Sequence, residues 1–208
     1  MKRKGEWLQT VSGKQFWPLD PNPEEIYIFD IAHALSNLCR FNGHCLHFYS
    51  VAQHSVLVSR IVPKHWAMWG LLHDAPEAYL VDLPRPVKRS ESIGVPYKQA
   101  EYRLMYAVCD RFCLPRLEPP EVKRADDIVL CTEKRDLMSA PPVAWKLDEQ
   151  GLEPLLESII PMSPPTACQA FLERFNEIID TTCGSPTTAY PCRFGSKNRV
   201  QCGGRSEV

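Results

Sequence analysis

The sequence predicts an all-α domain carrying a small β-hairpin at its N-terminal end. Three observations lead there. Between Asp30 and Asp180 apolar residues return mostly at three- and four-residue spacing, the period of a helix with one face in a core. The gaps between these stretches are mostly short and hold Pro, Gly or helix-capping residues. Strand-like alternation is confined to EWLQTVSGKQFWPL, residues 6–19, which turns at Ser12-Gly13.

Composition sets the frame. The 208 residues suffice for one domain with a sizeable core, and 44% hydrophobic with 24% charged is ordinary for a globular chain. A net charge of −1 gives no electrostatic pull toward nucleic acid or an anionic membrane. No basic stripe with interleaved aromatics suggests a nucleic-acid partner. No apolar run reaches the roughly 18 residues that span a bilayer. The basic start MKRKGEWLQT has no apolar segment behind it, so it does not read as a signal peptide. The nine cysteines are odd in number and form no CxxC pair, which favours reduced thiols in a cytoplasm over a disulfide framework. Cys109 and Cys113, at helical i,i+4 spacing, read as packed thiols.

The elements follow in order. PNPEE is expected to be a loop. Asp30 is placed to cap a helix through IAHALSNLCR, ended by Gly43. Ser50 with Gln53 has the form of a capping box and opens SVAQHSVLVSRIV. Pro63 suits the start of the next helix, which runs to His73 and is loosened by Pro76. DLPRPVK must be extended or looped, because each proline pushes its predecessor out of helix. Helices are expected at Tyr97–Phe112, from Pro119-Pro120 through Met138, briefly around Leu152–Ile159, and at Ala167–Asp180. SAPPVAWKLDEQG reads as a surface loop. Residues 1–182 form the expected domain, and 183–208, with little to bury, a disordered tail.

Four residues put metal-binding groups where core residues belong. At about 100° per residue His54 shares a face with Val51, Val58, Ile61 and Val62. His73 and Asp74 end the greasy helix that begins near Trp66. In ADDIVLCTE the wheel puts Val122, Ala125, Asp126, Val129, Leu130 and Glu133 on one face, and turns Asp127 away beside Lys123 and Lys134. A buried unpaired carboxylate is very expensive. Two imidazoles and two carboxylates converging on a divalent cation would satisfy one another. The mixed nitrogen and oxygen set suits zinc, manganese, iron(II) or cobalt(II). Taken singly, each signal has a plainer explanation, such as a hydrogen-bonded core histidine or a buried ion pair. The joint placement on inward faces carries the metal reading. His44 and His47 flank Cys45 in a presumed loop and are weaker candidates, while His33 and His65 read as structural or solvated.

The order His54, His73-Asp74, Asp126 on separate helices resembles the HD-domain phosphohydrolases. HDAPEAYLVDLPRPVK is similar to the HD-x-x-E … DLP-x-PVK signature of bacterial 5′-deoxynucleotidases, and RFNGH followed by SVAQHSVLVS is similar to phage and bacterial deoxynucleotide hydrolases. The resemblance covers about residues 6–180. It implies an HD-type helical bundle with a divalent metal (cobalt, manganese or zinc) on His54, His73, Asp74 and Asp126, and room for a second, magnesium ion. It further implies Glu77 as the catalytic carboxylate, with Arg40, Asp82 and Lys88 as substrate contacts. The implied substrate is a deoxynucleotide mono- or triphosphate, and a homo-oligomer is expected. The hairpin and the Arg40-Phe41 pair, where the 5′-deoxynucleotidases have Arg-Trp, depart from that pattern. Two other functions stay open: a non-catalytic nucleotide sensor, and an iron-dependent oxygenase, for which only His44 and His47 could supply extra ligands.

Overall fold

The structure is a computed structural model and describes residues 3–183. Eight α-helical segments follow a two-stranded antiparallel hairpin, as the apolar periodicity predicts. The hairpin pairs β1 (Leu8–Gln9) with β2 (Gln15–Phe16) in the register Leu8 to Phe16. Gly13 takes the left-handed turn conformation (φ 76°) that a side chain would resist. The helices are α1 (Ile28–Asn37), α2 (Val51–Ile61), α3 (Ala67–Leu72), α4 (Glu77–Leu80), α5 (Arg85–Lys88), α6 (Glu91–Phe112), α7 (Pro120–Leu137) and α8 (Pro164–Cys183). Among the described residues no helix is long and apolar enough to cross a membrane. The expected tail from residue 184 on lies outside the described residues, while Cys183 closes α8.

α2 sits at the centre, packed against α1, α3, α7 and α8. Eight of its eleven residues are buried, including Gln53, His54, Ser55 and Ser59, so polar groups are sunk into the core and must find partners there. The Ser50 hydroxyl accepts from the Gln53 N–H and caps α2. The Gln53 side chain does not return the bond. It donates to the Ile160 carbonyl at 2.8 Å and accepts from the Met162 N–H at 2.8 Å, tying the segment before α8 to the core.

Several local expectations are corrected. α1 stops at Asn37, short of Gly43. DLPRPVK, expected to be extended or looped, closes into α5 over Arg85–Lys88 with Pro86 in its first turn, where a proline lacks no needed donor. Asp30 lies inside α1, whose N-cap is Tyr27. Its carboxylate accepts from the Ser12 N–H and hydroxyl at 3.0 and 2.8 Å, which locks the hairpin turn to α1. PNPEE forms a 3-10 turn at Pro23–Glu25, capped by Asn22. α6 begins at Glu91, six residues before Tyr97. The Ser90 hydroxyl caps it by accepting from Ile93 and Gly94, which offsets the hydrogen bond Pro96 cannot make. Residues 152–159 form no helix. Thr132, Arg135 and Asp136 of α7 take the backbone groups of Leu155, Glu157 and Ile159 into side-chain hydrogen bonds, so the segment lies extended along α7.

Two packing contacts position the elements around His73. Phe16 is fully buried and stacks on Tyr79 with ring centroids 4.0 Å apart, so the hairpin braces α4. Gly70 lets α3 lie close on α2: a methyl there would meet the Ser59 Cα and Val62 Cγ2, each at 3.1 Å. Gly70→Ala should therefore lower stability, because overpacking of about 1–3 kcal/mol exceeds the helix-propensity gain of about 1 kcal/mol. A urea midpoint equal to or above that of the parent protein would contradict this close approach.

Candidate metal centre

His54, His73 and Asp74 come from α2 and from the turn after α3. Each offers one ligand atom, and these atoms all lie within 4.8 Å of one another. The turn is short because Pro76 stops the helix. The Ala75 N–H donates to the Leu72 carbonyl and the Glu77 N–H to the Asp74 carbonyl, both at 2.9 Å, which brings His73, Asp74 and Glu77 round one bend.

The hydrogen bonds fix what the imidazoles present. His73 Nδ1 is 2.9 Å from the Gly70 carbonyl oxygen. A carbonyl only accepts, so Nδ1 carries the hydrogen and Nε2 is a bare lone pair. His54 Nδ1 is 2.7 Å from Glu133 Oε1, which leaves its Nε2 facing the same point. The two Nε2 atoms are 3.2 Å apart. Asp74 Oδ2 lies 3.3 Å from His73 Nε2 and 3.7 Å from His54 Nε2, and Asp126 Oδ1 lies 3.2 Å from His54 Nε2. Two imidazole nitrogens and two carboxylates turned to one spot call for a cation between them. The His54, His73 and Asp74 donors form a set that can hold a metal ion, and Asp126 lies beside them with its other oxygen accepting from Lys123 Nζ at 2.7 Å.

Protons show the same demand. Burial and Arg40 pull the His54 imidazole down, yet Glu133 and Asp126 override them and push it up to about 9 from an ordinary 6.5. Burial alone would raise Asp74 and Asp126. The histidines hold both carboxyls below their ordinary values, and Asp126 falls well below. In metal-stripped protein the His54 proton acts as the substitute cation. Because the folded value is raised, its stabilising contribution is complete below pH 6.5 and is lost as pH rises through about 9. It amounts to a few kcal/mol. Urea unfolding of metal-stripped protein should show the loss across that window, and manganese should abolish it. A pH-independent midpoint would contradict the assignment.

The other expected site residues surround this point. Arg40 starts a turn in which Phe41 and Asn42 both adopt positive φ (54° and 53°). Its guanidinium is nearly buried and is committed to the protein: it donates to Glu133 Oε2 from Nη2 at 2.9 Å and from Nε at 3.2 Å, with Asp74 Oδ2 3.6 Å from Nη1. Glu77 is buried. Burial, then Asp74 and Asp82, raise its carboxyl well above the ordinary range, and Lys88 and Arg40 only partly offset this. Its Oε1 receives Lys88 Nζ at 3.3 Å, while its Oε2 has no hydrogen-bond partner. Lys88 is shared with Glu101 at 2.8 Å. Asp82 is half-buried and follows Val81, which holds φ 68° and ψ 157°, a conformation a β-branched residue rarely adopts. A cleft of about 720 Å³ opens beside Glu77, between Pro18 and Leu19 after the hairpin and Leu80 and Val81 after α4. His44 and His47 are exposed and stand outside the cluster. Asp127 does turn to Lys123, at 2.8 Å, yet it is more buried than Asp126. Lys134 pairs with Asp148 instead.

Glu133 is the residue to which sequence reasoning gave no role. It is fully buried and holds both His54 and Arg40. The signal was available: it sits seven residues after Asp126 on the same face, and a glutamate buried that deeply requires partners. Its carboxyl is kept below the ordinary value by Arg40 and His54 despite burial.

Fold and site define an all-α protein with a histidine–aspartate cluster able to hold a metal ion. No family model matches the chain. It is 42% identical over 180 residues to the uncharacterized protein YfdR of Escherichia coli (strain K12), spanning 83% of this chain and 95% of YfdR, and belongs to the same family. An uncharacterized protein of Rhodobacter capsulatus is 41% identical over 131 residues, 59% of this chain and 66% of that protein.

Proposed function

We propose that the protein is an HD-type metal-dependent phosphohydrolase acting on deoxynucleotides. One observation carries the chemistry: two histidine Nε2 atoms, oriented by the Gly70 carbonyl and Glu133, meet Asp74 and Asp126 near a buried carboxyl with an unpartnered oxygen. The nucleotide class rests on the likeness of HDAPEAYLVDLPRPVK and RFNGH to deoxynucleotide hydrolases.

His54, His73, Asp74 and Asp126 would hold the ion: manganese, cobalt or zinc. When bound it supplies Lewis acidity toward a phosphate oxygen and lowers the pKa of water. The chain does the rest. Glu77 offers its unpartnered Oε2 to the attacking water and takes its proton, a task suited to a carboxyl that burial, Asp74 and Asp82 make a stronger base than an ordinary carboxylate. Arg40, beside Asp74, and Lys88, beside Glu77, would set positive charge where charge builds on phosphate oxygens. Both are already paired with carboxylates, so substrate phosphate competes for their donors. Asp82 would contact the sugar end.

The test is product analysis. Metal-stripped protein is given manganese, cobalt or zinc and each deoxynucleoside mono- and triphosphate, and products are separated by chromatography. Nucleoside with orthophosphate defines a 5′-nucleotidase. Nucleoside with intact triphosphate defines a triphosphohydrolase. No product with any metal, alongside nucleotide binding, would overturn hydrolysis in favour of a sensor.

A further inference from the structure

Just before and just after the Arg40 turn two thiols face each other. Cys39 Sγ and Cys45 Sγ are 3.6 Å apart. The loop that carries them is pinned at its ends and middle. The Arg40 N–H donates to the Tyr49 carbonyl at 2.9 Å, and the Val51 N–H donates to the Leu38 carbonyl at 3.0 Å. The Leu46 N–H reaches across to the Leu137 carbonyl of α7 at 2.8 Å. The Cys45 thiol also leans on the Arg40 carbonyl at 3.8 Å. These restraints hold the two sulfurs together on a partly exposed loop. By contrast, Cys109, one of the i,i+4 pair, is buried and donates to the Pro115 carbonyl at 3.4 Å.

We propose that Cys39 and Cys45 form a reversible disulfide when the protein meets hydrogen peroxide, making this pair a redox modification site flanking the turn that holds Arg40. Closure needs the sulfurs to move from 3.6 Å to about 2.05 Å, a shift within reach of side-chain rotation on a surface loop. Burial and the neighbouring Cys39 push the Cys45 thiol up, so Cys39 takes the first step. Its thiolate attacks one peroxide oxygen and breaks the O–O bond, leaving Cys39 as a sulfenic acid and releasing hydroxide, which takes up the thiol proton as water. The Cys45 sulfur then attacks the sulfenic sulfur. The S–S bond forms, and the sulfenic oxygen leaves as a second water with the Cys45 proton. Two thiols are oxidised and one peroxide is reduced. A dithiol reductant reverses the step by exchange.

The site is independent of the proposed reaction, and its test needs no turnover. Native full-length protein is treated with hydrogen peroxide, quenched, unfolded with excess alkylating agent, and digested with trypsin without reductant. Trypsin cuts after Arg40, between the two cysteines. Cys39 is the only cysteine of peptide 15–40, and Cys45 the only one of peptide 41–60. The expected result is a linked pair 15–40 plus 41–60 that lacks two hydrogens and separates on reduction. It should be absent from Cys39→Ser and from protein unfolded before treatment with a dilute oxidant. The proposal is overturned if the two peptides emerge separately, each alkylated or over-oxidised, or joined to other cysteines.

Discussion

Replacing His73 by alanine should weaken divalent-metal binding by more than about 100-fold, beyond the range seen for residues that only support a ligand. The reason lies in the hydrogen bonds. The Gly70 carbonyl holds the hydrogen on Nδ1, so His73 presents Nε2 with no partner except the atoms it would share with a cation. Removing the ring deletes a ligand and leaves His54 Nε2 facing two carboxylates, Asp74 and Asp126. Calorimetric titration of metal-stripped protein with manganese, cobalt and zinc measures the loss, and circular dichroism shows whether the helices remain. Glu133→Gln is the graded partner experiment. The amide would keep the shape but lose the charge that orients His54 and neutralises Arg40. Metal affinity should fall about 10–100-fold. Stability should fall as well, because Arg40 would stay buried with Asp74, at 3.6 Å, as its nearest remaining carboxylate. Unchanged affinity in His73→Ala would remove the metal centre from the argument altogether.

The burial of the cluster was legible in the sequence because helical periodicity reports which face turns inward. His54 sits among Val51, Val58 and Val62 in the sequence, and these four side chains are buried in the fold. The same periodicity put Asp126 rather than Asp127 toward the histidines, and Asp126 lies 3.2 Å from His54. Periodicity is silent about partners across the chain. Nothing local joins Arg40 to Glu133, ninety-three positions away, or Lys88 to Glu101. The missed starts and stops have a common cause. The expected helix started at Tyr97, just after Pro96, yet the Ser90 cap starts α6 at Glu91 and the helix runs through Pro96. Residues 152–159 have apolar residues at helical spacing, but α7 side chains compete for their backbone groups. Asp30 had the chemistry of a cap and directs it to Ser12 instead. In each case a hydrogen bond, local at the Ser90 cap and tertiary at Ser12 and α7, overrides the preference read from the sequence.

Glu77→Gln should keep metal binding and lose turnover by about 10²–10⁴-fold, the contribution of a positioned acid–base group. The plainer role for Glu77 is as an ion-pair partner of Lys88, and the two roles separate by experiment. Lys88 keeps Glu101 at 2.8 Å when Glu77 is neutral, so the pair itself is dispensable. Stability supplies the second readout. The Glu77 carboxyl is pushed up by burial, by Asp74 and by Asp82, so the folded state holds a proton that the unfolded chain releases near pH 4.5. Folding therefore loses stability as pH rises from about 4.5 through the folded value. Glutamine carries no such proton. The variant should match the parent protein in acid and become progressively more stable than it toward neutral and alkaline pH. A group that costs stability where it sits, and that activity cannot do without, is held for its chemistry. Wild-type turnover in Glu77→Gln would refute the catalytic role.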